Sequence, residues 1–242
     1  MAVDEHYASN GEVRIHYYDS REEADEKLVP IVVCPGLSET AEEYLDFMQA
    51  AAPRRCILLS FRGRGQSDTP ESGYDLAEHL SDLEAVVNDA GLKEFHLFAY
   101  SRGVSYALGY ALKSKADVRS LVLGDYPPEH RAMPDGWAED YIYNYLIPYN
   151  RTSNIRTAAV WGIQRESKPI PLDTALDIPI LVARGMLEDS LITNEEIDRY
   201  ERMSATVAVK EYARSGHALK GEDKALFFED IIRFVDERDA ER

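Results

Sequence analysis

A serine stands between two small residues in Ala99-Tyr100-Ser101-Arg102-Gly103. An apolar run of strand length beginning at Phe95 leads into it, and a helix-like segment, Val104 to Leu112, leads out. A chain that reverses from strand to helix in so few residues has no room for larger side chains two positions before and two after the serine. The same reversal lifts the serine hydroxyl above the sheet edge, at a helix N-terminus where backbone N–H groups favour developing negative charge. Ser101 is therefore the candidate nucleophile. Nucleophilic serine chemistry needs two further groups, a base that takes the hydroxyl proton and a carboxylate that orients the base.

The sequence has six histidines. His6 and His16 fall in a hairpin pattern, His79 on a helix, His96 inside the strand that precedes the serine, and His130 in an irregular stretch. Only His217, in Ser215-Gly216-His217-Ala218, sits just past the C-terminal end of a strand pattern. In open α/β sheets the C-terminal strand ends are where ligands and reacting groups collect. His217 is the expected base. For the carboxylate, Glu188 and Asp189 compete in the loop after the strand pattern Pro179 to Ala183, and Asp189 is preferred because Ser-Leu-Ile-Thr and then a helix follow it. Asp125, at the end of the preceding strand pattern, is the third choice.

The elements that must position these groups are readable from hydrophobic period. Asn10-Gly11 between Glu5–Ser9 and Glu12–Tyr18 predicts an antiparallel hairpin. Continuous apolar runs at Leu28–Cys34, Cys56–Phe61, Val118–Leu123 and Pro179–Ala183 predict strands buried on both faces, and Val207–Tyr212 a further strand. Helical spacing covers Asp75–Asp89, Asn194–Met203 and Gly221–Glu237, and a helix capped by Ser38 is expected to run to about Ala51. Strands alternating with helices specify a doubly wound, mostly parallel sheet with helices on both faces and the hairpin as antiparallel edge strands. The stretch from about 126 to 170, rich in Tyr, Trp and Pro, breaks this alternation and reads as a short cap insertion in a single domain spanning 1–242. Trp137, Tyr141, Tyr145 and Trp161 are the expected pocket aromatics within it.

Composition bounds the partners. A formal net charge of −17 argues against nucleic acid and anionic membrane surfaces. No apolar run reaches spanning length and no charged-then-apolar leader is present, so a cytoplasmic location is expected. Cys34 and Cys56 sit in strand patterns and read as buried thiols, and neither has metal-ligand spacing.

The order Ser101, Asp189, His217 resembles that of the α/β-hydrolase superfamily. So do Pro35-Gly36-Leu37, Arg62-Gly63-Arg64-Gly65-Gln66-Ser67, the elbow Ala99-Tyr100-Ser101-Arg102-Gly103, Arg184-Gly185 and Gly216-His217, together covering nearly the whole length. The resemblance implies the α/β-hydrolase fold, a nucleophile elbow with alanine in place of the first glycine, and a catalytic triad in a serine hydrolase. It also implies an oxyanion hole from the backbone N–H groups of Leu37 and Arg102, although Pro35-Gly36 stands where the family usually carries His-Gly. Arg102, Arg62 and Arg64 are expected to be structural cations. The expected activity is hydrolysis of small to medium carboxylic esters through an acyl-enzyme, with no metal or organic cofactor and a small molecule as partner. A carbon–carbon bond, thioester or lactone hydrolase with the same triad is the alternative within the enzymes. A non-catalytic small-molecule receptor is the alternative outside them.

Overall fold

The computed structural model describes residues 3–241. Asn10 and Gly11 turn the chain between β1 (Asp4–Asn10) and β2 (Val13–Asp19), with Gly11 at φ +62°, the left-handed region that glycine enters without cost. The buried runs form β3 (Ile31–Cys34), β4 (Cys56–Leu59), β5 (Phe95–Tyr100), β6 (Val118–Gly124) and β9 (Ile180–Gly185), with β10 (Val207–Tyr212) at the far edge. Between β6 and β9, β7 (Glu129–His130) and β8 (Ile170–Pro171) pair only with each other. The eight-stranded sheet has the order β1-β2-β4-β3-β5-β6-β9-β10. β1 and β2 join it antiparallel, and every pairing from β4 to β10 is parallel.

Parallel strands need crossovers, and the helices supply them on both faces. α2 (Leu76–Asp89), α3 (Gly103–Lys113) and α6 (Asn194–Met203) cover one face; α1 (Leu45–Ala50) and α7 (Lys224–Ala240) cover the other. Alternate residues of each strand divide between the two cores. Leu97 and Ala99 of β5 pack with α2 and α3, whereas Phe98 and Tyr100 pack with Phe47 of α1 and Phe227 and Ile231 of α7. That period of two on both faces is why these strands read as unbroken apolar runs.

The helix expected from Ser38 starts later. Thr40 and Glu43 form a capping box for a short 3₁₀ turn, Ala41–Tyr44, which continues into α1. Ser38 instead shares a hydrogen bond with Tyr141 Oη at 2.7 Å, so its hydroxyl ties the loop after β3 to the insertion.

The insertion contains α4 (Trp137–Tyr141), a π-type turn (Ile142–Leu146) and α5 (Thr157–Glu166), between β7 and β8. It has its own small core of Ala138, Ile142, Leu146, Ile155, Ala159, Val160 and Ile163 around Tyr74 of the body. A Cβ on Gly162 would lie 2.3 Å from the Tyr74 ring, so the glycine allows the ring to lie flat on α5. Backbone bonds from Gly65 N to Asn154 O (2.9 Å) and Arg156 N to Gly63 O (2.9 Å) fasten the insertion to the glycine-rich loop after β4. The side chain of Arg102 does the same from beneath: 2 % exposed, it donates to Tyr106 Oη, Arg131 O, His130 Nε2 and Ser167 Oγ. Cys34 and Cys56 are free, buried thiols; burial pushes Cys56 up to about 12.

Two buried histidines not chosen as base are His130, in this packing, and His96, between β6 and α7. His130 accepts from Arg102 at Nε2 and hydrogen-bonds Ser105 Oγ at Nδ1 (2.9 Å), and burial, then the Arg102 charge, lowers it to about 3. His96 lies between Ser120 Oγ (2.7 Å) and Asp239 Oδ1 (3.2 Å), and burial lowers it to about 4 against the opposing pull of Asp239. Both are depressed below the value near 6.5 of an unfolded histidine, so in mildly acidic solution the unfolded chain binds more protons than the folded one. Stability then rises with pH across that window and falls on acidification, at about 1.4 kcal/mol per pH unit for each group. Urea unfolding between pH 6.5 and 4.5 is expected to show this loss, with the slope reduced by about one proton in His130→Gln; an unchanged slope in that variant would show that His130 is protonated in the folded state.

Candidate functional site

Ser101 follows β5 directly, at φ +53°. A non-glycine residue held there is strained, and the surroundings hold it. Its N–H donates to Gly124 O at the end of β6 (2.8 Å), and its C=O accepts from Val104 N in the first turn of α3 (2.9 Å). Gly103 brings α3 against β3: a Cβ there would lie 2.3 Å from Cys34 O and 2.5 Å from Pro35 O. This contact is the physical basis of the small-residue pattern around the serine.

His217 lies in the loop between β10 and α7, its side chain 31 % exposed. Nε2 is 3.0 Å from Ser101 Oγ, and Nδ1 is 2.8 Å from Asp125 Oδ2. Tyr100 stacks on the imidazole at 5.6 Å and donates its hydroxyl to His217 O. Asp223 staples the same loop by accepting from Arg214 N (3.0 Å) and Ser215 Oγ (2.9 Å).

The carboxylate that meets His217 is Asp125, which corrects the expected order of the candidate acids. Asp125 follows β6 as Ser101 follows β5, with no residue between it and the strand and with φ +43°. It is fully buried and accepts four hydrogen bonds: Gly185 N (3.2 Å) and Ser190 Oγ (2.6 Å) at Oδ1, Leu191 N (2.9 Å) and His217 Nδ1 at Oδ2. Asp189 and Glu188 are exposed, four and three residues beyond the end of β9. The Asp189 carboxylate lies over the backbone of Gly216, where a Cβ would be 1.5 Å from Oδ1. The loop that carries both acids packs against the histidine loop, through Met186 N to Ser215 O (2.7 Å) and Leu187 N to Ser215 O (3.0 Å). It thus supplies donors to Asp125 instead of an acceptor to His217. Distance from the strand end is the signal that separates the acids: Gly124-Asp125 abuts its strand and Asp189 does not.

A cavity of about 580 Å³ opens over Ser101 and His217. Leu37, Ser38, Tyr100, Tyr141 and Tyr145 line it together with the charged groups Glu39, Glu43, Arg151, Asp189 and Lys220. Of the four expected pocket aromatics, Tyr141 and Tyr145 line the cavity. Trp137 stacks behind Tyr141 at 5.1 Å, and Trp161 is 43 % exposed on the outer side of α5, so neither lines it. The charged part of the lining has no signal in the sequence; it comes from segments far apart in the chain. A larger groove of about 1030 Å³ along α7 shares only Gly221 with this cavity and contains neither Ser101 nor His217.

The loop after β3 is held from several sides. Glu39 Oε2 accepts from Gly36 N (2.8 Å), Arg64 Nε donates to Leu37 O (3.0 Å), and Arg151 donates to Ser38 O (2.9 Å). The N–H groups of Leu37 and Arg102, the expected oxyanion donors, have no protein acceptor among the described residues. Arg64, expected to brace its own turn, bonds Arg62 O and His79 Nε2 as well as Leu37 O, so it also braces this loop.

A family model for the alpha/beta hydrolase fold matches residues 29–145. Among curated proteins, the chain is 35% identical over 97 residues to "Probable lysophospholipase BODYGUARD 1" of Arabidopsis thaliana, a match covering 39% of this chain and 20% of that protein. It is 29% identical over 111 residues to N-formylmaleamate deformylase of Pseudomonas putida, covering 43% of this chain and 41% of that one. The matches therefore span well under half of these relatives. Among solved structures, an esterase from Exiguobacterium antarcticum superposes with a TM-score of 0.77 at 19% identity over 95% of this chain and 97% of that one, a likeness of fold.

Two acid variants test the hydrogen-bond chain. Asp125→Asn is expected to lower kcat on any substrate this site turns over by on the order of 10⁴, because the amide favours the wrong imidazole tautomer. Asp189→Asn is expected to cost less than about tenfold. The reverse ranking would return Asp189 to the acid's role.

Proposed function

We propose that the chain, which carries the α/β-hydrolase fold, is a serine hydrolase of that superfamily, cleaving carboxylic esters of small to medium size through an acyl-enzyme. The observation that carries this reading is the continuous hydrogen-bond chain from Ser101 Oγ through His217 to the buried Asp125. In the reaction, His217 Nε2 takes the proton of Ser101 as Oγ attacks the ester carbonyl. The new imidazolium is stabilised by the Asp125 carboxylate, which also holds Nδ1–H in the productive tautomer. The tetrahedral oxyanion is received by the N–H groups of Leu37 and Arg102, donors fixed before the charge develops. His217 then returns its proton to the leaving alcohol. Water, deprotonated by the same nitrogen, clears the acyl group and restores Ser101.

The cavity supports the size range: about 580 Å³ takes a small or medium ester, with Leu37 and the tyrosines against its apolar part and the charged side chains against a polar group. A cation free beside the nucleophile would favour carbon–carbon bond cleavage. The Arg102 guanidinium is instead committed beneath the insertion, and it does not line the cavity. The insertion, fastened as described, is proposed to act as a fixed cap that shapes the pocket. No helix among the described residues is long and apolar enough to cross a membrane, and the free buried thiols suit the reducing cytoplasm proposed as its location.

Purified protein is expected to hydrolyse short chromogenic esters and to be labelled at Ser101 by a serine-directed phosphonate. Ser101→Ala should lose labelling and on the order of 10⁴–10⁶ in kcat. Labelling at another residue, or full activity in the variant, would overturn the serine mechanism. Absence of turnover on a broad ester panel would favour a binding role for the cavity.

A further inference from the structure

The expected oxyanion loop carries a carboxylate at its base. A methyl group placed on Gly36 would lie 2.9 Å from Glu39 Oε2 and 3.2 Å from Ser101 Cβ, so this acid and the nucleophile border the same glycine. An anion so near a developing oxyanion opposes it unless compensated. The compensation is present: Lys220 Nζ lies 2.5 Å from Glu39 Oε1, with both side chains only about 15% exposed (15% and 16%). Lys220 stands three residues after His217, and its ammonium packs over the ring of Tyr44 at 3.8 Å and that of Tyr100 at 5.0 Å. Those two rings close the arrangement. Tyr44 Oη donates to Glu39 Oε2 at 2.6 Å, and Tyr100 donates to His217 O while stacking on its imidazole.

We propose that Glu39 and Lys220 form a charge-compensated clamp that joins the oxyanion loop to the histidine loop and aims the Leu37 N–H at the reacting carbonyl. This rests on the serine-hydrolase reading and adds two positioning residues to it. The division of labour follows from the donors. Glu39 Oε2 occupies the Gly36 N–H, and Arg64 and Arg151 occupy the carbonyls of Leu37 and Ser38. The Leu37 peptide is thereby held on both sides with its N–H left over. Lys220 removes the electrostatic cost of using a carboxylate as the brace, and it carries the clamp across to the loop of the base.

The test uses the full chain and four variants: Glu39→Ala, Glu39→Gln, Lys220→Met and the double variant Glu39→Gln/Lys220→Met. The readouts are kcat and KM on a short ester and the affinity of an alkylboronic acid, which forms a tetrahedral adduct with a serine oxygen. Removing one oxyanion donor typically costs about 10²–10³ in kcat. Glu39→Ala is expected to approach the lower end of that range, with boronate affinity falling in step and KM within about threefold. Lys220→Met, which leaves the carboxylate uncompensated, should lose at least about tenfold in kcat. Glu39→Gln keeps an acceptor for Gly36 N and should stay within about threefold. The decisive arm is the double variant: restoring neutrality should recover most of the loss seen in Lys220→Met, which a packing role for Lys220 would not do. Glu39→Ala with unchanged kcat and boronate affinity, or a double variant no better than Lys220→Met, would overturn the clamp while wild-type turnover and Ser101 labelling left the serine mechanism standing. A wild-type protein without ester turnover or Ser101 labelling would overturn both.

Discussion

A carboxylate removed entirely from water is the constraint on which the site depends. Burying an unpaired charge costs several kcal/mol, so a buried Asp persists only where donors replace its hydration. Asp125 has four, from the end of β9, from the loop beyond it at two points, and from His217. Each donor comes from a segment that the sheet order has already brought close, because β6 lies next to β9 and β9 next to β10. As well as meeting the His217 imidazole, Asp125 therefore organises its neighbours. The loop carrying Ser190 and Leu191 wraps toward it, and in doing so packs on the histidine loop at Ser215 and Gly216.

The same logic of buried polar groups meeting fixed partners extends beneath the insertion. Arg102, His130, Ser105 and Ser167 form one connected set, and Arg64 and His79 form another beside it. Neutral imidazoles accept from guanidinium groups in both, which burial favours because it disfavours a second positive charge. Such networks are costly to break and hold one arrangement. The Arg102 set ties the insertion to the body, and neither set lines the cavity, whose walls on the insertion side are Tyr141, Tyr145 and Arg151. The cavity's floor is set differently, by glycines that let backbone approach backbone: Gly103 against β3, and Gly36 beneath Ser101.

Much of this was legible along the chain. The turn that exposes Ser101 requires small residues, and they are visible as letters. The parallel strands are buried on both faces, which writes them as continuous apolar runs, and Asn194–Met203 and Val207–Tyr212 fall where helical and strand patterns place them. His217 was identifiable because only one histidine follows the C-terminal end of a strand pattern. Each of these is a local property, enforced by the geometry of a few consecutive residues.

The choice among acids and the charge of the pocket were not local. Two adjacent strands, β6 and β9, end at the same edge of the sheet, and the loops after both carry carboxylates. Sequence order alone does not say which loop donates and which accepts; the packing of Gly185 against Gly216, and the donors of Ser190 and Leu191, decide it for Asp125. Trp137 and Trp161 have the composition of pocket residues, but helix rotation within the insertion places one behind Tyr141 and the other in solvent. Glu39 and Lys220 stand 181 positions apart and meet at 2.5 Å. Short-range sterics wrote the candidate nucleophile, the candidate base and the sheet into the sequence. Long-range hydrogen bonding and charge compensation, which exist only after the strands are ordered, selected Asp125 as the partner of His217 and furnished the cavity.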